Sequence, residues 1–335
     1  MTSYVIRRLL ILIPTIFFAL SLLYVLYFLL PGDPVRLILG GTSKAIPEDV
    51  RQDVEQRYGL DDPKIVQFTD YWKRTIQGDL GQSYLNNESV NDILKERAPA
   101  SLRLAFWAIL IEIVVGVPIG LIAALRRYSL SDQATTVLIA AASAVPVFVL
   151  GFLLQRVFAV EPFKRGWPEW MQFHVQGIGP NSWAMGVIPT GDQWRFLALP
   201  AITLACVSTA LVARMMRGSM LEVMGADYMR TARAKGLRER NVIVSHGLRN
   251  AMIPVVTLIG IDFGVVFGAA ILTETVFNWP GIGSKTAQAI TARDAPVILG
   301  LTLVVVVVYC VVNLIVDVSY AWFDPRIRLG EQVEK

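Results

Sequence analysis

Six long apolar stretches constrain this chain more than any other feature. Each is about as long as the ~20 residues that a helix needs to cross roughly 30 Å of hydrocarbon. The stretches are Leu9–Leu30, Leu102–Leu125, Ala134–Phe158, Phe196–Met216, Met252–Leu272 and Val297–Trp322. The composition, 54% hydrophobic and 17% charged over 335 residues, also favours a membrane protein over a soluble domain. The sequence therefore predicts an all-α membrane protein with six transmembrane helices.

Positive charge predicts which side of the membrane each connection faces, because Lys and Arg are concentrated in short cytoplasmic loops. Three segments are basic: the N-terminus at Arg7 and Arg8, the connection at Arg126 and Arg127, and the segment between the fourth and fifth stretches. All three indicate one topology, with both termini in the cytoplasm. No small-residue cleavage site follows the first stretch, so we expect a span there and not a signal peptide.

This topology predicts three segments and two large connections. The segments are an N-terminus with the first span at 1–30, an extracytoplasmic subdomain at 31–99, and a five-helix core at 100–335. The core contains an extracytoplasmic insertion at 159–195 and a basic cytoplasmic loop at 217–252. Within the subdomain we expect short helices over Glu48–Tyr58 and Ile65–Ile76. Its many aromatic residues favour an ordered structure over disorder.

The cytoplasmic loop has the most informative sequence. Between Asp227 and Gly236 it combines helix-forming residues with the small residues Ala232 and Ala234, and the glycine favours a helix end. A short helix with small residues on an exposed face suits insertion into a groove on a partner. The sequence therefore predicts a docking helix on the cytoplasmic side.

The same loop carries a family resemblance. DYMRTARAKGL at Asp227–Leu237, followed by HGLRNAMIP at His246–Pro254, resembles the dipeptide/oligopeptide branch of ABC-importer permeases. Pro31–Pro34, Gly78–Ser83 and Leu272–Gly283 resemble the same branch. The long first outer loop is similar to that of the first permease of the heterodimeric pair. The loop lacks the glutamate and first alanine of the general Glu-Ala-Ala pattern, which leaves a carboxylate contact at that position in doubt.

The resemblance implies a type I ABC importer in a bacterial inner membrane. This chain would form half of the channel, beside a second homologous permease, two cytoplasmic ATPase subunits that bind ATP and Mg, and an extracytoplasmic peptide-binding protein. The expected contacts to the ATPase are Asp227, Tyr228, Thr231, Ala232, Lys235, Gly236 and Leu237. We expect this chain not to be an enzyme and to bind no cofactor. The Pro280–Thr286 stretch is not a nucleotide-binding loop, because Ser284 stands where such a loop needs its second glycine.

Two acids inside the spans are candidate functional residues, because charge within a bilayer is costly. Glu112 and Asp262 either face the channel or partner permease, or form an interhelical hydrogen bond. In a rival interpretation, an ion-coupled secondary transporter, they would carry protons, but that leaves the cytoplasmic loop unexplained. Within the family, peptides, nickel chelates and haem all stay open as substrates.

The second outer connection contains a tryptophan-rich insertion at 161–184 that the resemblance does not cover. It contains Trp167, Trp170 and Trp183, and either lies on the membrane surface or docks the binding protein. Neither His174 nor His246 has the spacing of a metal site. The distribution of charge gives no indication of nucleic-acid binding.

Overall fold

The computed structural model describes residues 2–29, 35, 47–180 and 182–323, which are mostly helical. In chain order the helices are α1 (Thr2–Leu29), α2 (Glu48–Tyr58), α3 (Lys64–Ile76), α4 (Val90–Ile111), α5 (Val117–Leu125), α6 (Leu130–Ala144), α7 (Val147–Gln155), α8 (Glu161–Lys164), α9 (Gln193–Met224), α10 (Asp227–Ala234), α11 (Glu239–Asn241), α12 (Arg249–Val276), α13 (Ile282–Ala292) and α14 (Ala295–Phe323). Pro31–Pro34 lies outside the described residues.

Short irregular elements join these helices. The π-helical turns are Glu112–Gly116, Arg156–Val160 and Val242–Leu248, and a 3-10 turn covers Glu169–Met171. In the second outer connection, strands β1 (Trp183–Ala184) and β2 (Ile188–Pro189) pair antiparallel, with Trp183 opposite Pro189. The π-helical turns let α4 continue into α5, and α11 into α12, without a break.

Four continuous helical stretches of the described chain are long and apolar enough to cross a membrane. They are Val90–Leu125, Gln193–Met224, Glu239–Val276 and Ala295–Ile315. These stretches overlap the second, fourth, fifth and sixth predicted spans. The first predicted span falls in α1, where Leu10–Leu26 forms a shorter apolar helix. The described residues therefore give four spans, or five if the bent pair below counts as one, against six predicted.

The third predicted span, Ala134–Phe158, is wrong as a single straight helix. The chain forms two helical pieces, Asp132–Ala144 and Val147–Lys164, which meet at 103°. Between them Val145 is extended, with φ −93° and ψ 125°, and Pro146 follows with ψ 136°. Proline disfavours the helical conformation in the residue before it and lacks the N–H that a continuing helix requires. Its position in an apolar run concealed the break.

Helix α9 is at the centre of the bundle and packs against α4, α5, α6, α7 and α12. It crosses α5 at close range, since a Cβ added at Gly120 would lie 2.4 Å from the carbonyl oxygen of Ala213. The main core joins buried side chains of α4, α9, α12, α13 and α14, including Leu104, Leu204 and Leu301. The bundle thus holds the C-terminal end of α9 and the N-terminal end of α12, between which α10 lies.

The first outer loop contains both predicted short helices. Helix α2 has the predicted bounds, and α3 begins one residue before the predicted Ile65. The ring of Tyr24 on α1 packs on those of Phe68 and Tyr71, at centroid distances of 5.3 and 5.2 Å. The Ser83 hydroxyl donates a 2.5 Å hydrogen bond to Asp294, between α13 and α14. These contacts attach the loop to the bundle, while its boundaries at 31–99 stay a prediction.

Candidate functional site

Helix α10 lies directly after the long helix α9, where the sequence of the 217–252 loop predicts a short helix. The chain leaves α9 at Gly225 and turns at Ala226, which is extended with φ −72° and ψ 148°. Helix α10 ends at Ala234, and Gly236 follows with φ +74°. A Cβ on Gly236 would meet no atom within 4 Å, so space is not the reason for a glycine here. The reason is the positive φ, which glycine adopts more readily than other residues. Its N–H donates to the carbonyl oxygen of Arg233 at 2.9 Å.

The two faces of α10 differ sharply. Met229 and Ala232 are buried and pack with Val242 of the following π-helical turn. The other predicted contact residues are exposed: Asp227, Tyr228, Thr231, Lys235, Gly236 and Leu237. One face therefore attaches the helix to its own chain and the opposite face is available to a partner. Ala232 is the exception among the predicted contacts, because helical periodicity places it beside Met229 on the attached face.

An ion pair fixes the turn that follows α10. The Arg233 guanidinium lies 3.0 Å from a carboxylate oxygen of Glu239 at the start of α11. The hydrogen bond to Glu239 raises the pKa of Arg233 above its ordinary value. Both side chains are partly exposed, so the pair contributes little to overall stability but restricts the turn.

Two further contacts fix α10 relative to the spans. A Cβ on Gly247 would lie 2.8 Å from Cε of Met220 on α9 and 3.3 Å from that of Met229, so glycine permits this close packing. One turn earlier on α9, Arg217 donates to both carboxylate oxygens of Asp132, at 2.6 and 2.9 Å. Helix α10 is therefore the end of a unit that includes α9, the start of α12 and the start of α6.

Glu112 and Asp262, the two predicted acids, are both buried among the spans. Glu112 is fully buried and Asp262 is 8% exposed. They are close enough to interact electrostatically, and the Ser208 hydroxyl of α9 lies against Asp262. Both acids therefore lie inside the bundle, Glu112 on the π-helical turn after α4 and Asp262 on α12.

A third intramembrane acid, Glu274, was not singled out by the sequence reasoning. It is fully buried and accepts hydrogen bonds from the Ser101 hydroxyl at 2.5 Å and from the Ser284 amide at 2.9 Å. These bonds hold the start of α13 against α4, and Trp279 donates to the carbonyl oxygen of Ala100 nearby. The sequence signal that could have identified Glu274 is a carboxylate within an apolar run just before Trp279-Pro280-Gly281.

The tryptophan-rich insertion is attached to the bundle through its second half. Phe173 N–H donates to Phe158, and Gly177 N–H donates to Phe277. His174 stacks on Phe196 at 3.8 Å, which accounts for this histidine without a metal. Among the described residues, no group of three or more His, Cys, Asp or Glu is placed to hold a metal ion. The first half of the insertion exposes Trp170, with 65% of its surface accessible.

Comparison with known proteins decides the class of this arrangement. Residues 116–329 match the family of binding-protein-dependent transport system inner membrane components. Residues 1–105 match the family of N-terminal regions of such membrane components. The chain belongs to this family of transport proteins. It is therefore a permease component of an ABC importer, a multi-pass inner-membrane protein and not an enzyme, and ATP hydrolysis resides in partner subunits.

Relatives of similar length support this assignment. The glutathione transport system permease protein GsiC of Escherichia coli K12 is 39% identical over 330 residues, covering 98% of this chain and 99% of the relative. GsiC of Shigella flexneri serotype 5b is 38% identical over the same coverage. A solved structure titled as inward facing conformations of the MetNI methionine ABC transporter matches 69% of this chain and 96% of its own, with TM-score 0.53 and 15% identity. That likeness supports the fold alone.

Proposed function

We propose that this chain forms one half of the channel of an ATP-driven importer of short peptides, with glutathione among its substrates. Nearly full-length identity of 39% to glutathione permeases supports this substrate class. Nickel chelates and haem are the alternatives within the branch. Because selectivity in such systems rests largely with the binding protein, the permease is expected to accept a class of small peptides.

The remaining parts of the importer follow from the same proposal. A second homologous permease completes the channel, two cytoplasmic ATPase subunits bind ATP and Mg, and an extracytoplasmic protein delivers substrate. Both termini of this chain lie in the cytoplasm. The 31–99 loop and the insertion then face outward, where they border the delivery site. No cofactor is proposed within this chain.

The observation that carries the proposal is the shape and attachment of α10. It is a short amphipathic helix whose buried residues, Met229 and Ala232, fix it to its own chain while Tyr228 and Leu237 remain exposed. Such a helix transmits movement without bending, because α9 and α12 hold it at both ends. Closure of the ATPase pair would then tilt the spans as a rigid-body shift.

Coupling also requires that the ATPase bind this helix unequally in its two nucleotide states, since equal binding shifts no equilibrium. The exposed face therefore has to contact a part of the ATPase that moves on ATP binding. The arrangement favours this role over that of a secondary transporter, which has no use for a presented cytoplasmic helix.

The test is uptake by the complex in proteoliposomes, supplied with binding protein and radiolabelled glutathione, a dipeptide, a nickel chelate or haem. We expect ATP-dependent uptake of glutathione and dipeptides. Removing ATP while keeping a proton gradient is expected to stop uptake. Uptake that continues under those conditions contradicts the ABC-importer mechanism, and uptake of nickel or haem alone contradicts the peptide assignment.

A further inference from the structure

Two buried carboxyl groups within the spans, Glu112 and Asp262, lack the hydrogen-bond partners that buried acids require. Glu112 is the first residue of the π-helical turn between α4 and α5, and Asp262 lies in the middle of α12. Helix α9 packs against both and contributes the hydroxyl of Ser208 beside Asp262. Single π-helical turns within long helices occur frequently at functional sites. The position therefore merits a chemical explanation.

Three carboxyl oxygens of this pair lack a hydrogen bond. Both oxygens of Glu112 and Oδ2 of Asp262 are buried, and no residue of the described chain donates to them. No Lys, Arg or His in the described ranges is ion-paired with either acid. The charged group that acts on Glu112 is Asp262, and α9 contributes the uncharged hydroxyl of Ser208 beside Asp262.

This environment strongly disfavours two negative charges. An unpaired buried carboxylate costs several kcal/mol even after the protein relaxes, and the usual response is to bind a proton. A second negative charge nearby increases that cost, as in the paired carboxyls of aspartic proteases. Neutralising one member of the pair removes both penalties.

Glu274 provides an internal comparison, because it is equally buried but well partnered. Its carboxylate accepts from the Ser101 hydroxyl and from the Ser284 backbone amide. The bundle therefore supplies donors where a carboxylate is to be held by hydrogen bonds. It supplies none at Glu112, which indicates that a different species satisfies that group.

Close helix packing prevents a neutralising side chain from reaching the pair from α5. A Cβ on Gly116 would lie 3.0 Å from the carbonyl oxygen of Thr209, and one on Gly120 would lie 2.4 Å from that of Ala213. A Ca²⁺ ion takes six to eight oxygen ligands and Mg²⁺ keeps several waters, so either ion needs room around it. A proton needs only one carboxyl oxygen and no added volume.

We propose that Glu112 and Asp262 form a proton-binding site in which Glu112 carries the proton and Ser208 holds Asp262. This assignment does not depend on which substrate the importer carries. It also differs from proton-driven transport, because the bound proton neutralises the bundle and is not required to cross the membrane. Water that reaches the pair during the transport cycle would be able to release it.

The proposal is tested by infrared spectroscopy of the permease complex in lipid nanodiscs at pH 7. A protonated carboxyl gives a C=O band that ionised carboxylates lack and that shifts in D2O. We expect the difference between wild type and Glu112→Gln to contain this band. Glu96→Gln, whose glutamate is 63% exposed, serves as the matched control and is expected to leave the band unchanged. Incorporating 13C-labelled glutamate into the wild type is expected to shift the band, which assigns it without relying on a variant.

Three results would overturn the proposal. The first is loss of an ionised-carboxylate band, in place of the acid band, in Glu112→Gln. The second is an acid band that does not respond to 13C-labelled glutamate. The third is thermal stabilisation of wild type by Na+ or K+ that Glu112→Gln abolishes, which would assign the site to an alkali-metal ion.

Discussion

Two exposed apolar side chains at α10 allow a quantitative prediction. Tyr228 on the helix is 44% exposed and Leu237, three residues past its end, is 41% exposed, and both are proposed to contact the ATPase. Full burial of a large apolar side chain contributes about 1.5–3 kcal/mol. Covering the exposed fraction of each is therefore worth about 0.6–1.3 kcal/mol. The double variant Tyr228→Ala with Leu237→Ala should weaken ATPase binding by about 1.2–2.6 kcal/mol, or roughly 8- to 80-fold in Kd.

The assay is titration of purified ATPase subunits onto the permease pair in nanodiscs, with Kd measured by biolayer interferometry. Leu130→Ala is the matched control. Leu130 is 84% exposed at the start of α6, and the Asp132–Arg217 ion pair places that start beside the cytoplasmic end of α9. Leu130→Ala removes a comparable amount of exposed apolar surface near the end of α9 without changing α10. Equal Kd values for the double variant and wild type would show that Tyr228 and Leu237 do not contact the ATPase. Equal losses of affinity in the double variant and the control would show that the effect is not specific to α10.

Three further predictions concern the contacts around this surface. Glu274→Gln replaces one of the two accepting oxygens with an NH2 group that cannot accept, so it is expected to lower the free energy of unfolding by about 1–3 kcal/mol in thermal unfolding. Thr291→Ala on the exposed side of α13 is expected to change little, and equal stability of the two variants would contradict the role of Glu274. Asp132→Asn breaks the ion pair with Arg217 and is expected to reduce substrate-stimulated ATP hydrolysis while ATPase subunits still co-purify; unchanged stimulation would show that this pair does not help to position α10. For the insertion, we expect brominated lipids to quench the fluorescence of the exposed Trp170, so that Trp170→Phe loses most of that quenching. Protection of Trp170 from quenching by the binding protein would instead indicate a docking surface.

Local sequence signals predicted the short helices well. Helix α2 has the predicted bounds because Pro47 precedes it and Gly59 follows it in a left-handed conformation with φ +62°. The start of α10 at Asp227 also matches the prediction, and Gly236 just past its end has the positive φ expected of a helix-terminating glycine. In these places the chain's own residues determine where a helix begins and ends, with little help from distant contacts.

Tertiary contacts explain the features that the sequence did not predict. Ala232 is attached to Met229 and Val242 instead of facing outward, because small residues suit a tight internal contact as well as a partner's groove. Nothing in the local sequence around Glu112 or Asp262 indicates that the two acids interact electrostatically, since 150 residues separate them. Glu274 was missed because the donors that hold it, Ser101 and Ser284, come from other elements.

Helix α10 is proposed to couple ATP hydrolysis to transport. The most direct test is ATP hydrolysis by the reconstituted complex, with and without binding protein and glutathione, in wild type and Gly236→Pro. Gly236 has φ +74°, which proline cannot adopt, so this change should alter the end of α10 while the spans remain inserted. We predict substrate-stimulated hydrolysis in wild type and its loss in Gly236→Pro, with the ATPase still bound. Stimulation that persists in the variant would contradict the claim.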